Sequence, residues 1–333
     1  MDGSSINKTD KSKLLHKLEG MVESEKPGDI DVTLVDAMFL LHTLLNLPPT
    51  FGGVAEVILR RLCEMSPRTD LVCDMHITPS IKEAERNRRG SEEMTFAVTG
   101  PEQKRPQNWQ TALQSCSFKA GFLRFLANEW KNNRYASILK DHIVVMGLDG
   151  VCYTFRENGG SVFREDTEAL NCQHEETDTR LVFHLDHIMQ VSPAATMRVR
   201  SNNTDVLVVL LCYAGAAHDC PNVWMDVGLS SNNTRRYISI PKLVDELEST
   251  VLQALPGLHA FTGTDFTASF MNKGKQRPLD IMMKHEEFIS AFAMLGEHHN
   301  VPDETVSTIE HFVCSLYGKH NLLSVDTAHY VMF

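Results

Sequence analysis

Short apolar runs alternate with helical patterns along this chain, which predicts an α/β fold with a central, largely parallel sheet flanked by helices. The first strand falls on residues 31–36 and runs directly into a helix over 37–46. Pro48 and Pro49 break the chain before a second helix at 53–65. Residues 69–74 read as a strand and 80–89 as a polar helix. Periodicity fades over 90–117, which contains Gly100, Pro101 and Pro106 and reads as a mobile insertion. A helix at 118–131 sets Phe122, Phe125, Leu126 and Trp130 on related faces, and 143–148 is a compact apolar strand. In a helix over 177–190, Leu181, Leu185 and Ile188 recur at i, i+4 and i+7. Strands follow at 197–200, 223–227 and 236–240, and helices close the chain. The segment 206–213 is apolar enough to be buried whichever way it folds.

Composition narrows the picture. With 333 residues and 42% hydrophobic content, the chain can bury a full core. No run of eighteen apolar residues is present, so neither a membrane span nor a membrane partner is expected. The first thirty residues are polar and read as a flexible tail, 31–285 as one domain, and 286–333 as a helical extension. Its ending, Tyr330-Val331-Met332-Phe333, looks like an element cut short. Eight cysteines lack any C-x-x-C pair, which suits reduced thiols in the nucleus or cytoplasm. Cys172 with His174, or His184 with His187, has no second Cys/His pair at zinc-finger spacing, so buried thiols and polar histidines explain them better. A Cys–His nucleophile stays open, without a specific neighbourhood to support it. The net charge of −11 argues mildly against general nucleic-acid binding, yet a carboxylate metal site adds negative charge of its own.

The acids fall at the ends of elements. Asp36 ends the first strand and Asp74 follows Leu71-Val72-Cys73; Glu175, Glu176 and Asp178 open a helix. Asp205 lies where a short strand meets the buried segment, and Asp265 sits in the turn Thr262-Gly263-Thr264-Asp265. The carboxyl ends of parallel strands form the crevice where ligands bind. Acids gathered there repel one another unless a cation neutralises them, and hard oxygen ligands select Mg²⁺ or Mn²⁺. Two such ions can activate water and stabilise the leaving oxygen of a phosphodiester. Each acid taken alone is better explained as an ordinary helix cap or turn acid; only the set points to a site.

In order and approximate spacing, these segments resemble the flap-endonuclease (PIN-like) superfamily over about residues 31–285. Val35-Asp36-Ala37-Met38 is similar to its first acidic strand end. Asp74 with residues 80–89 is similar to its second acid and basic gateway helix. His174-Glu175-Glu176-Thr177-Asp178 resembles its internal acidic motif, Asn203-Thr204-Asp205 its Asp-x-Asp motif, and Thr262-Gly263-Thr264-Asp265 its Gly-x-Asp motif. The nearest likeness is to a divergent animal group with a His-Glu-Glu-Ala-Asp-Thr-Arg pattern. The resemblance implies that Asp36, Asp74, Glu176, Asp178, Asp205 and Asp265 hold two Mg²⁺ or Mn²⁺ ions. Glu176 lies about 200° from Asp178 on an ideal helix, so it converges only by preceding the first regular turn; Glu175 is its substitute. In the gateway helix, Lys82, Arg86 and Arg89 form one basic stripe, with Lys82 and Arg86 as clamps on the scissile phosphate.

Two departures bear on activity. Asn203 replaces the first Asp of Asp-x-Asp, which weakens one ion site. The stretch 270–277 keeps three cations but one glycine, in place of a glycine-rich duplex-binding turn. The expected activity is therefore metal-dependent phosphodiester hydrolysis on DNA or RNA. The competing reading is a weakened or inactive PIN-like module that binds nucleic acid or protein. Trp109, near Lys104 and Arg105, reads as the anchor of its loop rather than as a base-stacking platform.

Overall fold

A computed structural model describes residues 9–75, 96–265, 267–297 and 299–332. The helix expected at 80–89, with Lys82 and Arg86, lies outside the described residues, as does the start of the expected insertion. The fold is α/β. An eight-stranded mixed sheet comprises β1 (Val32–Asp36), β2 (Arg68–Val72), β3 (Ile143–Leu148), β4 (Val151–Asn158), β5 (Ser161–Asp166), β6 (Met197–Arg200), β7 (Val223–Val227) and β8 (Arg236–Ser239). Their order is β5-β4-β3-β2-β1-β6-β7-β8. Pairings β3–β2, β2–β1, β1–β6 and β6–β7 are parallel, while β4 and β5 add antiparallel strands beside β3.

The chain divides into two compact units. One, Lys26–Asn202 with Asn222–Tyr237, holds most of the sheet. Period-two alternation sends Val35, Leu71, Val144 and Met146 to one sheet face, where the Phe51–Cys63 and Cys116–Glu129 helices cover them. Trp109 is buried there, with its indole NH on the Leu41 carbonyl (3.2 Å) and its ring edge-on to Phe118 and Phe122. It anchors its loop as expected. On the opposite face the Thr177–Val191 helix packs against β1 and β2.

The second unit, Met1–Glu25, Asn203–Pro221 and Ile238–Phe333, is helical. The 31–285 stretch contributes residues to both units. In the second, the Thr204–Ala216 helix is apolar around most of its circumference. Such a helix must be enclosed, and helices Ser12–Glu19, Ile240–Glu246 and Ser249–Phe261 pack on it. Within the stretch expected to be a flexible tail, Ser12–Glu19 is a helix whose Leu14, Leu15 and Leu18 form a buried apolar stripe. At Gly257 the neighbouring helix comes so close that a Cβ would stand 2.2 Å from the Phe292 carbonyl oxygen.

Candidate functional site

The chain builds β1, β2 and β3 outward in one direction, then returns to β6 and β7 on the other side of β1. The strand order therefore reverses between β1 and β6, and α/β sheets bind ligands beyond the carboxyl ends of the strands at such a switch point. Asp36 is the last residue of β1, beside it. Its backbone is extended (φ −65°, ψ 116°), and its Oδ1 accepts from the amides of Met38 (2.8 Å) and Phe39 (3.1 Å), capping the helix that begins at Ala37. Ser201, just past β6, places its hydroxyl 3.5 Å from Asp36 Oδ2.

Asp74 lies two residues beyond β2 and, by alternation, faces the same side of the sheet as Asp36. Its Oδ1 accepts from Thr177 N (3.0 Å) and Thr177 Oγ1 (2.6 Å). Met75 N donates to the Glu175 carbonyl at 2.9 Å, so the strand end and the helix start are stitched together. Burial raises the Asp36 pKa to about 6, and the nearby charge of Asp74 adds to the rise against the two capping amides. A partly buried acid beside a second carboxylate is a site short of positive charge, which is the demand a divalent cation meets.

Glu176 and Asp178 flank Thr177. Glu176 is the N-cap of the Thr177–Val191 helix with extended backbone (φ −91°, ψ 136°), so it does precede the first regular turn. Asp178 is half-buried in that first turn. Arg180, the last residue of the His-Glu-Glu-Thr-Asp-Thr-Arg stretch, is fully buried. Its guanidinium donates to the carbonyls of Cys73 (3.3 Å) and Val151 (3.1 Å). Gly147 gives it room, for a Cβ there would meet the guanidinium at 3.1 Å. Much of that motif is thus architecture: Thr177 and Arg180 fix the strand end that carries Asp74.

A buried relay lies deeper in the same unit. Arg68 grips Asp70 through two bonds (2.8 and 2.9 Å), His184 Nδ1 is 2.9 Å from Asp70 Oδ2, and His184 Nε2 is 3.6 Å from Cys152 Sγ. Burial works against the Asp70 charge, but the bonds from His184 and Arg68 hold its pKa below the usual range. The order Cys–His–Asp imitates a nucleophilic triad. Burial, however, pushes the Cys152 thiol up to about 11, and all three side chains are sealed from solvent. A protonated, inaccessible thiol is not a nucleophile; this relay is structural. His184 is a polar histidine held by Asp70 within the core. No family model matches this sequence, and a search of curated proteins finds no match.

Asp205 and Asp265 belong to the helical unit. Asp205 Oδ1 is 2.6 Å from His259 Nε2, and its Oδ2 accepts from Lys11 Nζ at 2.7 Å; the same ammonium is 3.0 Å from Asp265 Oδ2. Burial opposes the Asp205 charge, but the bonds from His259 and Lys11 bring its pKa to about 2. Asn203 caps the Thr204–Ala216 helix by accepting from Asp205 N (3.1 Å), so its oxygen is committed to the backbone. Lys275, one of the three cations at 270–277, turns inward. It is 1% exposed and donates to the His259 carbonyl and Thr262 Oγ1, and burial lowers its pKa to about 7.

Among the described residues, no group of three or more His, Cys, Asp or Glu side chains is placed to hold a metal ion. What the structure brings together is two pairs: Asp36 with Asp74 in one unit, Asp205 with Asp265 in the other. Sequence reasoning missed Lys11 and His259. Leu14, Leu15 and Leu18 at i, i+1 and i+4 after Lys11 were the available signal that the N-terminal residues pack.

Proposed function

We propose that this chain is a divalent-cation-dependent phosphodiesterase of the PIN-like kind, acting on DNA or RNA in the nucleus or cytoplasm. The observation that carries the reading is Asp36 at the switch point, partly buried, with its pKa raised to about 6 beside Asp74. Such a pair fits a hard cation such as Mg²⁺ or Mn²⁺. When bound, the ion supplies a more acidic water and a counter-charge for the phosphate. Asp36 and Asp74 would hold it, with Glu176 and Asp178 at the adjoining helix start as further oxygen donors. Thr177 orients Asp74 and Ser201 stands against Asp36, so these side chains fix where the carboxylates point. By resemblance, Lys82 and Arg86 clamp the phosphate.

A weakened or inactive binding module is the second reading, favoured by Lys11. In the helical unit, Asp205 and Asp265 already share an ammonium, which lessens their need for a metal. The deciding assay offers flap, single-stranded and structured DNA and RNA with Mg²⁺, Mn²⁺ or EDTA. Cleavage that needs the cation and is lost in Asp36→Ala and Asp74→Ala supports hydrolysis. Cleavage that persists in EDTA, or survives both substitutions, overturns it. Binding of these substrates without cleavage favours the second reading.

A further inference from the structure

Strand β6 sends Arg198 and Arg200 to the sheet face opposite Asp36, in register with Thr33 and Val35 of β1 and with Trp224 and Asp226 of β7. Asp226 is fully buried and surrounded by guanidinium groups. Its Oδ1 accepts from Arg200 Nη1 (3.0 Å) and Arg235 Nε (3.0 Å), and its Oδ2 from Arg235 Nη2 (2.7 Å). Arg198 stands one step further off, with Nε 3.9 Å from Asp226 Oδ2. Its Nη2 finds only neutral acceptors, Thr33 Oγ1 and the Met65 carbonyl, both at 2.9 Å. Arg198 is 9% exposed, and its buried Nε has no hydrogen-bond partner.

One carboxylate therefore serves three guanidinium groups. Two more cations, Lys26 and Arg61, and one more acid, Glu64, line the same cavity of about 500 Å³. An ion cluster that served only the fold would gain by matching its charges, because each surplus buried cation forfeits hydration without an ion-pair return. Burial lowers the pKa of both Arg198 and Arg200, which is the mark of that deficit. The remaining wall mixes the hydroxyls of Thr43, Ser230 and Ser231 with apolar and aromatic side chains: Phe39 lies under the Arg200 guanidinium at 4.5 Å, and Tyr237 beside Arg235 at 5.6 Å. Small-ligand sites commonly combine such walls with a few convergent charges, at volumes of about 300–1,000 Å³.

We propose that this cavity binds a phosphomonoester on a body of mononucleotide size, its dianion meeting Arg235, Arg198 and Arg61 while the organic part lies against Phe39 and Tyr237. Guanidinium forks match phosphate oxygens in shape as well as charge. A free nucleotide and the 5′-phosphorylated end of a nucleic acid both present this chemistry. The site stands apart from the phosphodiesterase reading, since it uses neither Asp36 nor Asp74.

The test is calorimetry on the full chain, without divalent cation, against inorganic phosphate, AMP, and one short single-stranded oligonucleotide carrying either a 5′-phosphate or a 5′-hydroxyl. Arg61→Ala, at the rim and outside the Asp226 cluster, and Arg235→Gln are the variants. AMP or the 5′-phosphorylated strand should bind the wild type more tightly than inorganic phosphate. That affinity should fall at least tenfold in Arg235→Gln and several-fold in Arg61→Ala, with the melting temperature of Arg61→Ala unchanged. Asp36→Asn should bind as the wild type does, which separates failure of this proposal from failure of the catalytic one. AMP binding assigns a free nucleotide; binding of the phosphorylated strand alone assigns a nucleic-acid end. No heat with any probe at millimolar concentration, equal binding of 5′-phosphate and 5′-hydroxyl strands without AMP binding, or affinity indifferent to both variants would overturn the proposal.

Discussion

Lys11 Nζ lies 2.7 Å from Asp205 Oδ2, and the same ammonium reaches Asp265 at 3.0 Å, so two acids that resemble metal ligands share a tethered cation. The arrangement is chemically an ion site whose ion is part of the chain. Removing the ammonium leaves Asp205 with His259 alone, and a like charge no longer repels an incoming metal. Lys11→Met should raise the Asp205 pKa from about 2. It should also tighten Mn²⁺ binding at this pair by about tenfold or more. Paramagnetic broadening of the Asp205 and Asp265 signals reads the effect. Equal broadening in wild type and variant means that Lys11 does not compete with metal.

Asp36 makes a prediction about pH. Its folded pKa, about 6, lies above the ordinary value of 3.8. The folded state therefore holds the proton more tightly than the unfolded chain. The stability this contributes is fully present below pH 3.8, declines as pH rises through the window, and is gone above about 6. Asp36→Asn keeps an oxygen for the Met38 and Phe39 amides without the charge. It should stabilise the metal-free protein at pH 7 by about 1–2 kcal/mol, after discounting for partial exposure, and leave stability near pH 4 almost unchanged. Chemical denaturation at both pH values measures this. A loss of stability at pH 7 would show that the carboxylate charge is already compensated.

If Asp36 is a cation ligand, metal binding must expel its proton. Titrating Mg²⁺ into the protein at pH 6 should release about half a proton from this group, and close to none at pH 8. Calorimetry in two buffers of different ionisation enthalpy counts the protons. Release that is the same at both pH values, or unchanged in Asp36→Asn, places the cation elsewhere.

The parallel sheet was legible because β1, β3 and β7 are short, mainly apolar runs and β6 alternates apolar residues with arginines; Ile143–Leu148, Met197–Arg200 and Val223–Val227 lie where these patterns predict. The β3–β4 and β4–β5 hairpins were not read, although their turns, Asp149-Gly150 and Gly159-Gly160, take the left-handed conformations that two-residue hairpin turns require. Polar β4 and β5 residues, half exposed at the sheet edge, hid the strands from a search for apolar runs. In the site, the end-of-strand positions of Asp36 and Asp74 followed from chain order alone. That Asp205 would meet an ammonium from the N-terminal residues did not, since a contact across 194 positions leaves no local trace. The division into two units was hidden for a related reason: a wholly apolar segment such as 206–213 announces burial but not its partner.

Gly147 and Arg180 form a size-matched pair, and the match should be visible in stability. Adding a methyl group in Gly147→Ala puts it 3.1 Å from three guanidinium atoms, so Arg180 must shift from the Cys73 and Val151 carbonyls. Leaving buried carbonyls short of a donor costs about 1–3 kcal/mol. Gly147→Ala should therefore lower stability by about 2 kcal/mol and Arg180→Met by a similar or larger amount, while the double variant loses less than the sum because the second change removes the clash. Full additivity in urea denaturation would mean that the two residues act separately.

The Cys152–His184–Asp70 relay tests the difference between a triad and its likeness. A working nucleophile needs a thiolate and a path for substrate, and Cys152 has neither: its pKa stands at about 11 and its sulfur donates to the Leu170 carbonyl at 3.2 Å. Cys220, by contrast, is exposed. Iodoacetamide at pH 8 should label Cys220 in the native protein within minutes and leave Cys152 untouched until denaturant is added, as peptide mapping will show. Cys152→Ala should then cost about 1–2 kcal/mol of stability through lost packing and the lost sulfur contacts, with cleavage or binding of nucleic acid unchanged. Native-state labelling of Cys152 at a rate near that of Cys220 would mean that the relay opens to solvent, and its likeness to a triad would then describe a reactive group.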